Sequence, residues 1–447
     1  MSIRVPLPAL ARDVYAFNVL NTISFAIVQG VPLILFLKSQ GISATMLGVA
    51  TALSPLMLML QLPFAHRIYR LGYKRMAVEG WTGRTSVVIV IAIVAMASPW
   101  LGPSWTLGLI LPLLALYAAL RGVAVAAFLP WWRGIVQAEV RGRFLAGESL
   151  SNSAAAIIAF SGVTAYLSIW HGPTAYAILF LLSFFAGIGG LYYLRKIPDA
   201  PAEVEPDNPT QVPWRAILSH RPFVGLLGFF ALFNIAMAGA SVCWVTLLRD
   251  HFTATDVQMS SLPAMGAVAM GLTLLLVARM LDKVGSRPVI AVGVGLWSLH
   301  LMTWGALAGG LLPFGYPTLI LIQALSGTGA ALVAAASTRL LMATVPGQGR
   351  THFFAVYGFT QALALGLLPA CWGIAIDMSH RWTSAIGPIA LNSWSVIYPI
   401  LAVIMAASLV PLATVPEPKA MSTRDFLTEL LVNTPGRALT RLTGRDR

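Results

Sequence analysis

Apolar residues dominate this chain, and charged residues interrupt them at intervals. Stretches free of Asp, Glu, Lys and Arg cover 14–37, 39–66, 85–120, 149–194, 222–248, 257–278, 288–338, 351–376 and 382–416. A helix that crosses a bilayer needs about 20 mostly apolar residues, so 85–120, 149–194 and 288–338 are each read as two spans. All three carry turn chemistry near the middle: Pro99-Trp100-Leu101-Gly102-Pro103, His171-Gly172-Pro173, and the segment from Gly310 to Pro317. Glycine and proline punctuate helices in this way. In 85–120 the two helices must borrow flanking residues to reach full length. The pattern predicts twelve spans in an all-α polytopic membrane protein.

Composition agrees with the pattern. Hydrophobic residues make up 57% of the 447 and charged residues 10%, with a mean hydropathy of +0.79, whereas a soluble domain carries about 25% charge. A chain of two or three soluble domains is excluded. Of the 29 Lys and Arg, Lys38, Arg249 and Arg381 fall in loops on one side and Arg84 and Arg121 inside spans. All the others lie on the opposite side. The positive-inside rule then predicts cytoplasmic termini in a plasma membrane, the inner membrane of a bacterium. These loops account for the net charge of +13, so no nucleic-acid partner is expected. The opening MSIRVPLPALARD lacks the short apolar core and cleavage site of a signal peptide, and no removal is expected. Cys243 and Cys371 lie in spans without a pairing motif and are expected as free thiols.

The long polar interruption at 195–221 holds five prolines and four acids. It divides the spans six and six, with a short helix expected at 214–219. The expected parts are a first bundle over 1–194, a cytoplasmic linker over 195–221, a second bundle over 222–416, and a cytoplasmic tail over 417–447. Internal repetition supports the division. Gly285 in DKVGSRP maps onto Gly72 in YRLGYKRM at an offset of 213, and the same offset carries Asn234 onto Asn21. VRGRF (140–144) and GRTHF (349–353) match at 209.

With these residues in view, the chain resembles the major facilitator superfamily over about 12–416. That family's signature between the second and third helix of each half is Gly-x-Leu-Ala-Asp-Arg-x-Gly-Arg-Lys. The second half here has Ala278, Met280, Leu281, Asp282, Lys283, Gly285, Ser286 and Arg287. The first half keeps Arg70, Gly72, Lys74 and Arg75 but has Tyr69 where the family's Asp would stand. The resemblance implies two six-helix bundles alternating about a central site. It also implies a cytoplasmic gate of Arg70, Gly72, Lys74, Arg75, Arg141, Asp282, Lys283, Gly285, Arg287 and Arg350. Asp282 is expected to pair with Arg350, which opens span 11. A tight basic turn without switching is the plainer reading of both loops.

Polar groups at membrane depth are costly unless they face protein or water. Asn18, Asn21, Thr22 and Gln29 share one face of span 1 at helical spacing. Asn234 and Ser241 share a face of span 7, Gln323, Ser326 and Ser337 one of span 10, and Tyr357 and Gln361 stack on span 11. The resemblance implies that spans 1, 4, 7 and 10 line the path. The candidates are therefore Asn18, Asn21, Gln29, Arg121, Asn234, Gln323, Ser326, Tyr357 and Gln361, with bonding between helices as the alternative.

Arg121 is the strongest single candidate, because its span contains no acid. It can bind an anionic group, or reach the cytoplasmic face or backbone carbonyls instead. In the resembling family an Arg of this fourth helix is followed by Gln-Gly; here Ala124 and Val125 stand there. Glu79 and Glu148 are placed near helix starts and no acid at mid-span, which disfavours export of lipophilic cations. His300 is read as packing, and the 16 methionines as core rather than metal ligands. Gly366, Pro369 and Gly373 read as close helix packing. With no metal cluster and no nucleophile motif, neither an enzyme nor a cofactor is expected. The leading reading is a transporter, expected as a monomer in the lipid bilayer. Its solute would be small and anionic or neutral-polar, with a proton or ion as coupling partner. The rival is a transport-inactive relative acting in membrane assembly or binding.

Overall fold

A computed structural model describes residues 10–61, 64, 71–136, 138–200, 214–277, 285–345, 350–379, 383–387 and 389–417. Among these, eleven helices are long and apolar enough to cross a membrane, and a shorter apolar helix covers Ala44–Leu60. The short one occupies the place of the expected second span. The twelve-span fold holds.

The first span is α1 (Ala11–Val28) and α2 (Val31–Ser39), broken at Gly30 with a proline at the start of α2. Then come α3 (Ala44–Met57), α4 (Tyr73–Leu101), α5 (Pro103–Ile135), α6 (Ala138–Leu167) and α7 (Pro173–Lys196). A short α8 (Trp214–Ser219) stands where the linker was expected to hold one. The second half runs α9 (Arg221–Thr246), α10 (Asp256–Val277), α11 (Ser286–Ala308), α12 (Tyr316–Thr344) and α13 (Arg350–Ser379). It closes with α14 (Ser393–Ala407) and α15 (Leu409–Ala413). The three expected hairpin turns are real. Gly102, Gly172 and Gly310 adopt φ of 76°, 85° and 78°, a region that an L side chain disfavours.

One element was not expected. A β-hairpin, β1 (Thr383–Ile386) and β2 (Ile389–Asn392), precedes α14 inside a stretch read as a single span. Gly387, at φ 59°, makes the turn, and Ala390 N–H donates to Gly309 O at 3.0 Å. Hydropathy does not distinguish such a strand from a helix turn, because both are apolar here.

The internal repeat is visible in packing. In the first half α4 lies against α5 and α7; in the second, α11 lies against α12 and α14. Gly72 and Gly285 stand at the N-caps of α4 and α11 with φ of 79° and 92°. Each helix start is met by a carboxylate that follows the sixth span of its half. Asp199 accepts from Lys74 N–H at 3.2 Å, and Glu417 accepts from Ser286 and Arg287 N–H at 2.8 Å each. A negative charge at a helix N-terminus satisfies free donors and the helix dipole together.

The described residues separate into two compact units. One takes residues up to 211 together with 241–264 and 358–382; the other takes 212–240, 265–357 and everything from 383. The units follow packing, not the repeat. The first unit is centred on an aromatic cluster of Phe17, Trp81, Phe128, Trp131, Trp132 and Phe144, with Trp81 and Phe128 ring centroids 4.7 Å apart. Outward faces carry Ile93, Phe185, Leu272 and Val403, as a lipid solvent requires. Trp100, Trp105 and Trp170 are exposed at hairpin turns, where amphipathic rings suit the membrane interface.

Candidate functional site

At the end opposite the basic loops, the first unit is held by three polar contacts. Lys38, at the end of α2, bonds to Asp250 at 2.8 Å; its side chain is only 6% exposed, so salt screens the pair weakly. Arg249 holds Asp256 at 2.8 Å, and the same carboxylate accepts the hydroxyl of Tyr176. Asp377, late in α13, accepts from Ala44 N–H at 3.1 Å, Thr45 N–H at 2.8 Å and the Thr45 hydroxyl at 2.6 Å. It thus caps α3, a segment more than 330 residues away. Glycines bring these helices backbone to backbone. A Cβ on Gly48 would lie 2.4 Å from Pro369 O, and one on Gly373 2.4 Å from Ala44 O. The close packing read from Gly366, Pro369 and Gly373 therefore has α3 as its partner.

Along α1 the polar face is engaged. Asn18 donates to Glu148 at 3.0 Å and Thr22 to Asn152 at 3.1 Å. Both pairs share an offset of 130, so α1 and α6 run parallel, as two odd-numbered spans must. Asn21 accepts from the Trp81 indole at 3.2 Å, and the Ser24 and Ser183 hydroxyls meet at 2.8 Å. Gln29 ends α1, its N–H donating to Phe25 O. Glu148 was placed near a helix start. In fact α6 begins at Ala138, so Glu148 stands well inside a helix and faces α1. Its position was missed because the charge-free stretch begins one residue later.

Arg121 has its guanidinium carbon 4.6 Å from the Phe25 ring centroid, and Nη1 lies 3.4 Å from Ser54 Oγ. Gly122 makes this possible: a Cβ there would meet Met57 O at 2.1 Å, so α5 and α3 touch through their backbones. Arg84, on α4, is 1% exposed and lies against Trp81 and Tyr117 at 4.8 and 5.0 Å. Arg84 was not among the expected site residues.

In the second unit, Ser326 donates to Gln323 Oε1 at 3.1 Å, and the same oxygen lies 3.0 Å from where a Gly266 Cβ would stand. Asn234 is buried, and Tyr357 meets Phe230 edge-on at 5.0 Å. Gln361, on α13, belongs to the first unit. His300 lies between Trp297 and Trp304 with Nδ1 2.9 Å from Ile322 O, which is a packed core histidine. No group of three or more His, Cys, Asp and Glu side chains fit to hold a metal occurs among the described residues.

Of the gate residues, Gly72 and Gly285 form the turns already given. Lys74 contributes its backbone to Asp199, Arg75 pairs with Glu79 at 2.7 Å, and Arg287 reaches Ala413 O at 3.0 Å. Arg70, Asp282 and Lys283 lie outside the described residues, as do the side chains of Arg141 and Arg350. The expected Asp282–Arg350 pair therefore falls outside them too.

The family model described as Major Facilitator Superfamily matches residues 235–436. No curated protein matches the chain in sequence. Solved structures match its fold across most of its length. A mutant of the nucleoside transporter NupG superposes with TM-score 0.66 at 13% identity, covering 91% of this chain and 100% of that one. The xylose transporter XylE from E. coli, in an inward open conformation, gives 0.68 at 14%, covering 93% and 98%. A D-xylose-proton symporter gives 0.67 at 13%, again covering 93% and 98%.

Proposed function

We propose that this chain is a secondary transporter of the major facilitator superfamily, not an enzyme, and moves a small solute by alternating access; that family's model matches residues 235–436, and solved transporters share the fold. The observation that carries this reading is the set of contacts opposite the basic loops. Lys38–Asp250, Asp256 with Arg249 and Tyr176, and Asp377 on α3 are polar and few. Contacts of this kind can hold a closed end and still release it. The bundles 1–194 and 222–416 are the two moving halves, and 195–221 links them.

The solute is anionic or neutral-polar. Arg121 supplies a positive group, and the nucleoside, xylose and xylose-proton transporters of like fold make a polar solute and a coupling proton the first candidates. Asn21, in the first unit as Arg121 is, orients it. Spin labels at the exposed positions 39 and 251, which leave the Lys38–Asp250 pair in place, should report a short and a longer distance population, in proportions shifted by solute. One short distance under every condition would leave a static membrane scaffold. Uptake into vesicles of nucleosides, pentoses and small carboxylates, with and without a proton gradient, identifies the solute and the coupling.

The protein sits in the plasma membrane with both termini cytoplasmic in this reading, because the basic residues crowd one side. Reporter fusions after Ala200 and Glu417 are expected to read cytoplasmic, and one at Gly172 external. An external signal at Ala200 overturns this orientation and the six-plus-six division.

A further inference from the structure

We propose that Arg84 and Arg121 together form an anion site inside the first unit, taking a carboxylate or phosphoryl group of the solute. This rests on the reading of Arg121 as a solute contact, and extends it to a second guanidinium.

The hairpin of α4 and α5 brings the two side chains to one level. Arg84 precedes the turn at Gly102 by 18 residues, and Arg121 follows it by 19. At 1.5 Å per residue both stand about 27 Å from the turn. Small residues let the two helices close on each other. A Cβ on Gly80 would lie 2.5 Å from Ala124 Cβ, and one on Gly83 3.2 Å from Leu120. Tyr117 and Arg121 sit one turn apart on α5, and Arg84 lies 5.0 Å from the Tyr117 ring.

Among the described residues, Arg84 is 1% exposed, yet its Nε and Nη1 have no hydrogen-bond partner, and neither does the buried hydroxyl of Tyr117. Among the described residues no carboxylate forms an ion pair with either arginine. Glu79 is held by Arg75 and Glu148 by Asn18. Aromatic faces offset part of the cost of a desolvated cation, and Arg84 has two of them. They leave its N–H donors unused, however, and a buried unpaired donor is expensive. A structural arginine would have these donors satisfied. Two guanidiniums and a phenol on the packed pair α4 and α5, with Ser54 next to Arg121, instead offer donors for oxygens that share negative charge, which Arg forks suit better than Lys.

The test uses the purified full-length protein in detergent, with thermal unfolding followed against inorganic phosphate or succinate at constant ionic strength, and chloride as control. Wild type should show a saturable rise in Tm with at least one of the two anions; phosphate alone assigns a phosphoryl group, succinate alone a carboxylate. Arg84→Met should raise the Tm of the anion-free protein, because it removes an unpaired buried charge, and should weaken anion binding at least tenfold. Arg121→Met should weaken it comparably. A lower anion-free Tm in Arg84→Met, an unchanged anion response in that variant, or a wild type that answers neither anion overturns the pair. A response only to phosphatidylglycerol in bicelles makes this a lipid site and overturns the solute assignment. Failure here with the spin-label distances still alternating leaves transport intact. A retained anion response with one fixed distance does the reverse.

Discussion

Gly48→Leu should cut transport by tenfold or more while the protein still inserts and folds. The Cβ alone would stand 2.4 Å from Pro369 O, 2.8 Å from Pro369 C and 2.9 Å from Ala370 Cα. All three are backbone atoms of α13, so no side chain can swing aside. Overpacking of this kind costs about 1–3 kcal/mol. Here the strain falls on one conformation: it penalises the state in which α3 and α13 touch. Two states of a transporter differ by only a few kcal/mol, and about 1.4 kcal/mol shifts their ratio tenfold. The measurement is initial uptake rate in vesicles, alongside spin-label distances between positions 39 and 251, which should move toward the longer population. Gly271→Leu is the control, since nothing lies within 4 Å of a Cβ placed there. Normal flux in Gly48→Leu would mean that the close approach of α3 and α13 plays no part in turnover.

Arg121→Gln should weaken solute binding by about ten- to hundred-fold, the range for losing one hydrogen bond to a charged group. The substitution keeps length and polarity, and the position is half-buried, so folding should survive. Arg121→Lys should recover little if two oxygens are held at once, because an ammonium lacks the planar fork. Binding of the transported solute is read by thermal shift or calorimetry on purified protein. If both variants bind normally, or only lipophilic cations are carried, Arg121 is structural. Its contacts with Phe25 and Ser54 would then be its whole role.

Individual residues show where reading the chain stopped. Gly102, Gly172 and Gly310 were legible as turns because a positive φ leaves a mark at one position. Gly72 and Gly285 were legible as a repeated pair. Their capping acids were not, since Asp199 and Glu417 come from 125 and 131 residues away. Glu148 was misplaced because a charge was taken as the edge of a helix. Arg84 was seen to lie within a span, but its symmetry with Arg121 about Gly102 went unused. That spacing was the one available signal.

Hydropathy, turn residues and the distribution of basic side chains determined the helical membrane fold, the order of its spans and the repeat. Each is a local property, summed over about 20 residues, and the bilayer imposes it without reference to any partner. Tertiary structure alone decided which polar group meets which: Asn18 with Glu148, Lys38 with Asp250, Asp377 with the start of α3, Arg84 with Tyr117. Such meetings depend on how each helix is rotated about its axis and slid along its neighbours. Packing of side chains against other helices sets that rotation and sliding, and no stretch of sequence read by itself contains the neighbour.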